Sequence, residues 1–185
     1  MKKIIGLITA FLFISTAPVL ASGRPCKLGG IGPGGGYIFY CDDPITPKLS
    51  AGKVGLEGAL IDQNITGQVW SNITAIPLGT TGTEIGKGLA NTKVIIDQFG
   101  HTDSAAKLCA DIKGFNGDWF LPSKDELALM FTNLRAEGLV DFDVSAYWSS
   151  SEDDDGYAWY QGFNIGNQNS GYKNSRLSVR CVRAF

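Results

Sequence analysis

Histidine occurs once in this 185-residue chain, at His101, and methionine only twice. No Cys-x-x-Cys pair is present, and no serine sits in a GxSxG elbow. With one imidazole and no paired thiols, a zinc centre lacks its usual ligands. Ser–His catalysis would have to be built on His101 alone, between Gly100 and Thr102, where a capping or exposed histidine is the simpler account. Charge is scarce as well: 18% of residues are charged and the net charge is −2, so the global electrostatic footprint of a nucleic-acid or membrane-surface protein is missing. At 44% hydrophobic the chain is too apolar for disorder. Its 24 glycines lack the strict third-residue period of collagen. No internal repeat and no linker composition divides it, which leaves one globular domain.

What is present begins at the N-terminus. Lys2 and Lys3 precede an apolar run over residues 4–14, followed by Ser15-Thr16-Ala17-Pro18-Val19-Leu20-Ala21. Val19 and Ala21 supply the small side chains a signal peptidase requires, so residues 1–21 read as a secretory signal peptide and residues 22–185 as the mature domain. The run is short for a membrane anchor, and residues 23–25 before Cys26 lack the aliphatic residue of a lipidation motif. Removing 21 of 185 residues leaves 164 and takes away two lysines, moving the net charge from −2 to −4. The product is expected in the periplasm, outside the cell or at its surface, with no membrane span after cleavage.

Export changes how the cysteines are read. Cys26, Cys41, Cys109 and Cys181 are an even set in an oxidising compartment, and four cysteines allow three pairings. The favoured one joins Cys26 to Cys41, stapling a glycine-rich segment, and Cys109 to Cys181, tying a helix to the last strand. Residues 29–36 (GGIGPGGG) contain a formal GxGxxG at Gly30, Gly32 and Gly35, but an aromatic β-rich run follows in place of a phosphate-binding helix. The segment reads as a turn feeding a strand. Short strands are expected near Ala59-Leu60-Ile61 and Val69-Trp70 within the loop-rich stretch 42–82, whose two sequons, at Asn64 and Asn72, carry no weight.

Three helices follow. One places Ile85, Leu89, Thr92, Ile96 and Phe99 at helical spacing and stops at Gly100; a second is capped by Asp103, carries Leu108, Cys109 and Ile112 and closes at Gly114. A third opens on the capping box Ser123-Lys124-Asp125-Glu126, buries Leu127, Met130, Phe131 and Leu134 and ends at Gly138. The last third returns to strands at residues 147–148, 157–163 and 176–183, with residues 164–174 as a polar hairpin loop. The order defines an α+β domain.

Five motifs in this order, residues 29–40 (GGIGPGGGYIFY), 85–96 (IGKGLANTKVII), 118–127 (DWFLPSKDEL), 147–152 (YWSSSE) and 179–183 (VRCVR), resemble the Lcl C-terminal domain family. That family takes its name from a bacterial collagen-like adhesin. The resemblance covers nearly all of the mature chain. It implies a C-type-lectin-like single domain with short antiparallel strands and about three helices, displayed or secreted. It also implies a distant kinship with formylglycine-generating enzymes and the variable ligand-binding proteins of retroelements. In the adhesin the similar domain is associated with sulfated glycosaminoglycans and attachment. Here the collagen stalk is missing, as are the Glu-Pro-Asn and Gln-Pro-Asp tripeptides of calcium-dependent lectins and any counterpart of the formylglycine enzymes' catalytic cysteines. Calcium-dependent sugar binding therefore does not follow from the fold.

Candidate chemistry concentrates near the C-terminus. Residues 156–185 contain Lys173, Arg176, Arg180 and Arg183 and no acid, a segment charge of +4, against −8 for residues 22–155. The amides of Asn164, Asn167 and Asn169 suit hydroxyl groups, and the rings of Tyr160 and Tyr172 suit sugar faces. Lys173 and Arg176 suit sulfate or carboxylate groups. Arg180 and Arg183 have internal ion pairs as their competing role, and Trp119, Trp148 and Trp159 a place in the core. Beside the acidic run at residues 152–155, Ser151, Asp153, Asp155 and Gly156 echo the start of an EF-hand loop, but the twelfth position of that loop is Gly162 where a bidentate Glu is required, so a solvated loop is favoured. Asp141 and Asp143 alternate along an extended stretch without facing a scissile bond. These observations lead us to expect a non-enzymatic binding domain without cofactor or metal. Its expected ligand is a glycan, sulfated or otherwise anionic in the charged version; the alternative is a protein-interaction module of the cell envelope.

Overall fold

The computed structural model describes residues 26–112, 119–143 and 145–185. The signal peptide expected at residues 1–21 lies outside them, as do the helix stop at Gly114 and the first residue of the 118–127 motif.

The glycine-rich turn leads into β1 (Tyr37–Cys41), which pairs antiparallel with β2 (Gly55–Gly58). After β3 (Gln68–Val69) come α1 (Gly88–Ile96), α2 (Ala105–Ala110) and α3 (Lys124–Met130), the last continued by a π-helical turn at Phe131–Arg135. Then follow β4 (Ala146–Glu152), β5 (Tyr157–Gly162), β6 (Gln168–Tyr172), β7 (Arg176–Leu177) and β8 (Val182–Ala184). They form three small sheets, ordered β1-β2-β8, β3-β7 and β4-β5-β6, with every strand pair antiparallel. The α+β class and the three helices are as expected.

Period-two alternation organises the interior, because successive side chains of an extended segment point to opposite sides. Phe120, Tyr147 and Val182 enter one core with Phe39, Leu56, Leu127 and Phe163; their chain neighbours Leu121, Trp148 and Cys181 enter a second core with Trp70, Ile95 and Val179. The extended segments thus form a partition with a hydrophobic cluster on each side. The two fully buried indoles keep their N–H groups satisfied: Trp70 donates to the Ser149 carbonyl at 2.7 Å and Trp148 to that of Gln68 at 2.8 Å.

Local chemistry explains the helix ends. Ser123 accepts from the Glu126 N–H at 3.3 Å while Glu126 Oε2 accepts from the Ser123 N–H at 2.7 Å, so both arms of the expected capping box are made. The cap of α2 is Ser104, not the expected Asp103, whose carboxylate accepts instead from the Gln68 amide. Helix α1 begins three residues later than Ile85, because Gly86 sits at φ +91° against the Lys48 carbonyl and cannot continue a right-handed helix. Phe99, beyond the end of α1, is exposed.

Strand positions also depart from expectation. In place of the strand expected at residues 59–61, β2 covers Gly55–Gly58 and ends just before Ala59, and the final strand is interrupted between Leu177 and Val182. The segment 164–174 is not all loop, since residues 168–172 pair with β5 through the register Tyr160↔Asn169 and Trp159↔Ser170.

Both favoured disulfides are closed, Cys26–Cys41 and Cys109–Cys181, with sequence separations of 15 and 72. Chain-entropy scaling makes the longer bridge worth about 4 kcal/mol and the shorter about 3 kcal/mol. In urea denaturation under non-oxidising conditions, a Cys109→Ala/Cys181→Ala variant is therefore expected to lose more stability than Cys26→Ala/Cys41→Ala. Equal losses would contradict the loop assignment. A second expectation concerns Glu126, whose carboxyl burial pushes up from 4.5 to about 7 although it accepts backbone hydrogen bonds from Ser123 and Gly86. A carboxyl that keeps its proton longer in the folded than in the unfolded state contributes stability that is lost as pH rises from about 4.5 to about 7. Glu126→Gln, which preserves the capping arm, should flatten that part of the stability–pH curve.

Candidate functional site

The basic C-terminal segment is folded inward. Lys173 is buried, with Nζ 2.6 Å from Glu152 Oε1, 2.7 Å from the Asp155 carbonyl and 5.1 Å from the centre of the Trp70 ring. Arg180 donates through Nε to Asp62 at 2.6 Å and through Nη1 to the carbonyls of Ala59 and Leu60 at 3.0 Å. Arg183 lies 3.5 Å from Glu57, a fully buried carboxylate that also accepts from the N–H groups of Gly34 (2.7 Å) and Gly36 (2.9 Å). Burial raises the Glu57 carboxyl above its ordinary range, opposed by those two donors and by Arg183. The glycine-rich loop thus does receive an anion, and it is a side chain of its own domain. Lys173, expected at the ligand surface, is unavailable there because its charge already neutralises Glu152.

Arg176 is exposed but belongs to the β3–β7 sheet, where its Nη1 donates to the Gly67 carbonyl at 3.1 Å. Tyr172 lies on the opposite face of β6 from Asn169, its ring 4.4 Å from that of Tyr157. The hydrogen bond between those two tyrosines pushes the Tyr157 phenol up to about 12. On the same face the Lys124 ammonium sits 3.2 Å over the Trp159 ring.

The remaining expected residues converge. Tyr160, Asn164 and Asn167 line one open pocket of about 260 Å³ at the β5–β6 turn, together with Ser145, Gly162 and Ile165. Asn169 is paired across the strands with Tyr160 and shares its face. The turn is held from beneath: Phe163 is buried against the rings of Phe131, Phe142 and Tyr147, and its N–H donates to the Ser145 carbonyl at 2.8 Å. Gly166, at φ +80°, closes the turn, with its N–H donating to the Gly162 carbonyl at 3.0 Å.

The floor of the pocket is Gly162. A β-carbon there would collide with Oδ1 of Asn167 and lie 2.9 Å from Oδ1 of Asn164, so both amide oxygens converge over this one glycine. Asn164 Oδ1 also accepts from the Ile165 N–H at 2.9 Å, which fixes that amide. The ring of Tyr160 stands edge-on to Trp148 with centroids 6.2 Å apart, so a core residue braces it. None of the lining side chains carries a charge. Ser145 and Ile165 were not expected at the site. Nothing in their local sequence marks them, and Ser145 immediately precedes β4, which is paired to the far side of β5.

Other candidates resolve as structure. His101 Nε2 lies 2.8 Å from the Ser104 hydroxyl at the start of α2, and burial lowers its pKa. Asp154 accepts from the N–H groups of Gly156 and Tyr157, making the acidic run a hydrogen-bonded turn. Asn72 of the second sequon brackets the Thr102 and Asp103 N–H groups. Among the described residues no three His, Cys, Asp or Glu side chains gather as metal ligands, and no helix is long and apolar enough to cross a membrane.

Fold and pocket define a small, disulfide-bonded α+β domain with an uncharged turn pocket as its candidate site. The chain belongs to the Lcl C-terminal domain family, whose model matches residues 59–183. Among solved structures it is similar to a fimbrial protein from Bacteroides ovatus ATCC 8483, with 16% identity and a TM-score of 0.55 over 81% of this chain and 44% of that one. The chain therefore spans less than half the length of that protein. No curated protein matches the sequence.

The internal ion pairs have a measurable consequence. Lys173→Met strands Glu152 in the interior and is expected to cost about 3 kcal/mol in urea denaturation, whereas Arg176→Ala should stay within about 0.5 kcal/mol of the parent. A stable Lys173→Met protein would mean that the ammonium is not required to compensate Glu152.

Proposed function

We propose that this protein is an exported, non-enzymatic binding module of C-type-lectin-like architecture that recognises a neutral glycan at the β5–β6 turn. The observation that carries the reading is the convergence of the Asn164 and Asn167 amide oxygens over Gly162, beside the braced ring of Tyr160. A fixed amide such as that of Asn164 selects hydroxyl geometry, and an aromatic ring covers the apolar face of a sugar. A phenylalanine-anchored turn holds both in place, so little ordering entropy is lost on binding. Asn169, beside Tyr160, extends the polar rim.

A surface or adhesin role is supported by membership of the Lcl C-terminal domain family, by the likeness to a fimbrial protein and by two disulfides that belong to an oxidising compartment. The signal peptide proposed at residues 1–21 would deliver the chain there. The anionic version of the ligand loses its main support, because Lys173, Arg180 and Arg183 are committed to internal carboxylates. Arg176 remains as an isolated exposed cation in another sheet.

A glycan array with the oxidised protein displayed multivalently tests the reading. Binding to neutral glycans is expected, at least about tenfold weaker for Asn164→Ala/Asn167→Ala, with thermal unfolding unchanged and no gain in signal on heparin-type glycans. A blank array, or full binding by the double variant, would refute it.

A further inference from the structure

A second surface uses none of the residues that line the turn pocket. An open groove of about 440 Å³ runs between residues 60–65 and residues 141–143. On one side Leu60, Ile61 and Ile65 are 50%, 71% and 95% exposed, three aliphatic side chains within six positions that the folded chain leaves in water. On the other side Asp141 and Asp143 are exposed, and the buried ring of Phe142 between them lies 4.5 Å beneath the Arg180 guanidinium.

The charges of this groove do not cancel. Arg180, the only base among its lining residues, is committed to Asp62 and to the carbonyls of Ala59 and Leu60. Asp62 in turn also accepts from the Tyr147 hydroxyl at 2.8 Å. That internal network sets the backbone at residues 59–60 and fixes the aliphatic side of the groove. Asp141 and Asp143 are left as the net charge of the lining. A contiguous exposed apolar patch with a rim of one sign is the pattern of an interaction surface, and its sign selects the partner.

We propose that this groove docks a cationic, aliphatic peptide segment of a partner protein. Leu, Ile or Val side chains of the segment pack on Leu60, Ile61 and Ile65, and its Lys or Arg side chains meet Asp141 and Asp143. An anionic lipid surface fits poorly, because the same two carboxylates would face its headgroups. The residues involved are distinct from those of the turn pocket, so this inference and the glycan reading fail separately.

The test is fluorescence anisotropy with a labelled decapeptide of alternating Leu or Ile and Lys, against the oxidised protein. A control peptide carries Glu in place of Lys. The Lys peptide is expected to bind, the Glu peptide at least about tenfold more weakly, and added salt to weaken the complex. Asp141→Asn/Asp143→Asn and Ile61→Ser/Ile65→Ser should each reduce binding of the Lys peptide at least about tenfold while keeping the parent's thermal unfolding. Undiminished binding by the Asp141→Asn/Asp143→Asn variant would overturn the proposal. So would absence of binding by the parent, or binding to phosphatidylglycerol vesicles in preference to the peptide.

Discussion

The fold depends on buried carboxylates whose neutralising cations lie far along the chain, in its last residues. Glu57, Asp62 and Glu152 are withdrawn from water, and each is met by a base from the last thirteen residues: Arg183, Arg180 and Lys173. A buried carboxylate without its partner costs several kcal/mol, so the acidic body is incomplete until the C-terminal segment is threaded through it. Lys173, Arg180 and Arg183 each reach a different acid. Cys181, between two of those bases, then closes the bridge to Cys109. Val182 and Val179 of the same segment pack in the two cores, and the disulfide ties it to α2.

This constraint changes the meaning of the charge asymmetry in the sequence. An acidic body with a basic tail suggests an anion-binding tail, yet three of the four tail bases are counter-ions of carboxylates in the body. Apart from Arg176, what the tail presents outward is its uncharged part. The β5–β6 turn, its two asparagines and Tyr160 occupy the surface because Phe163 and Lys173 on either side are drawn inward.

Legibility followed the range of the interaction. The Ser123–Glu126 capping box spans three residues and was readable directly, as were the turn character of the glycine-rich segment and the disulfide pairing once export was inferred. Strand β6 was not readable, because its sequence Gln-Asn-Ser-Gly-Tyr has no β-branched residue; it is a strand because β5 offers a ladder and Gly171 leaves room for Trp148 and Tyr160. The start of α1 depended on the left-handed Gly86, imposed by contact with Lys48. At the candidate site, Tyr160, Asn164 and Asn167, singled out from composition, line one pocket. The burial of Lys173, the separate sheet of Arg176 and the arrival of Ser145 are products of tertiary pairing that local spacing does not encode.

The central claim is that the uncharged turn, not the basic segment, is the recognition surface. Amide chemical-shift mapping of the isotope-labelled protein tests it most directly, titrating a neutral oligosaccharide in one series and a sulfated one in another. The account predicts that the neutral sugar moves the amides of Ser145, Gly162, Asn164, Asn167 and Asn169 and that the sulfated one produces no clustered shift. Shifts centred on Arg176 with sulfated sugar, and a silent turn with the neutral one, would contradict it.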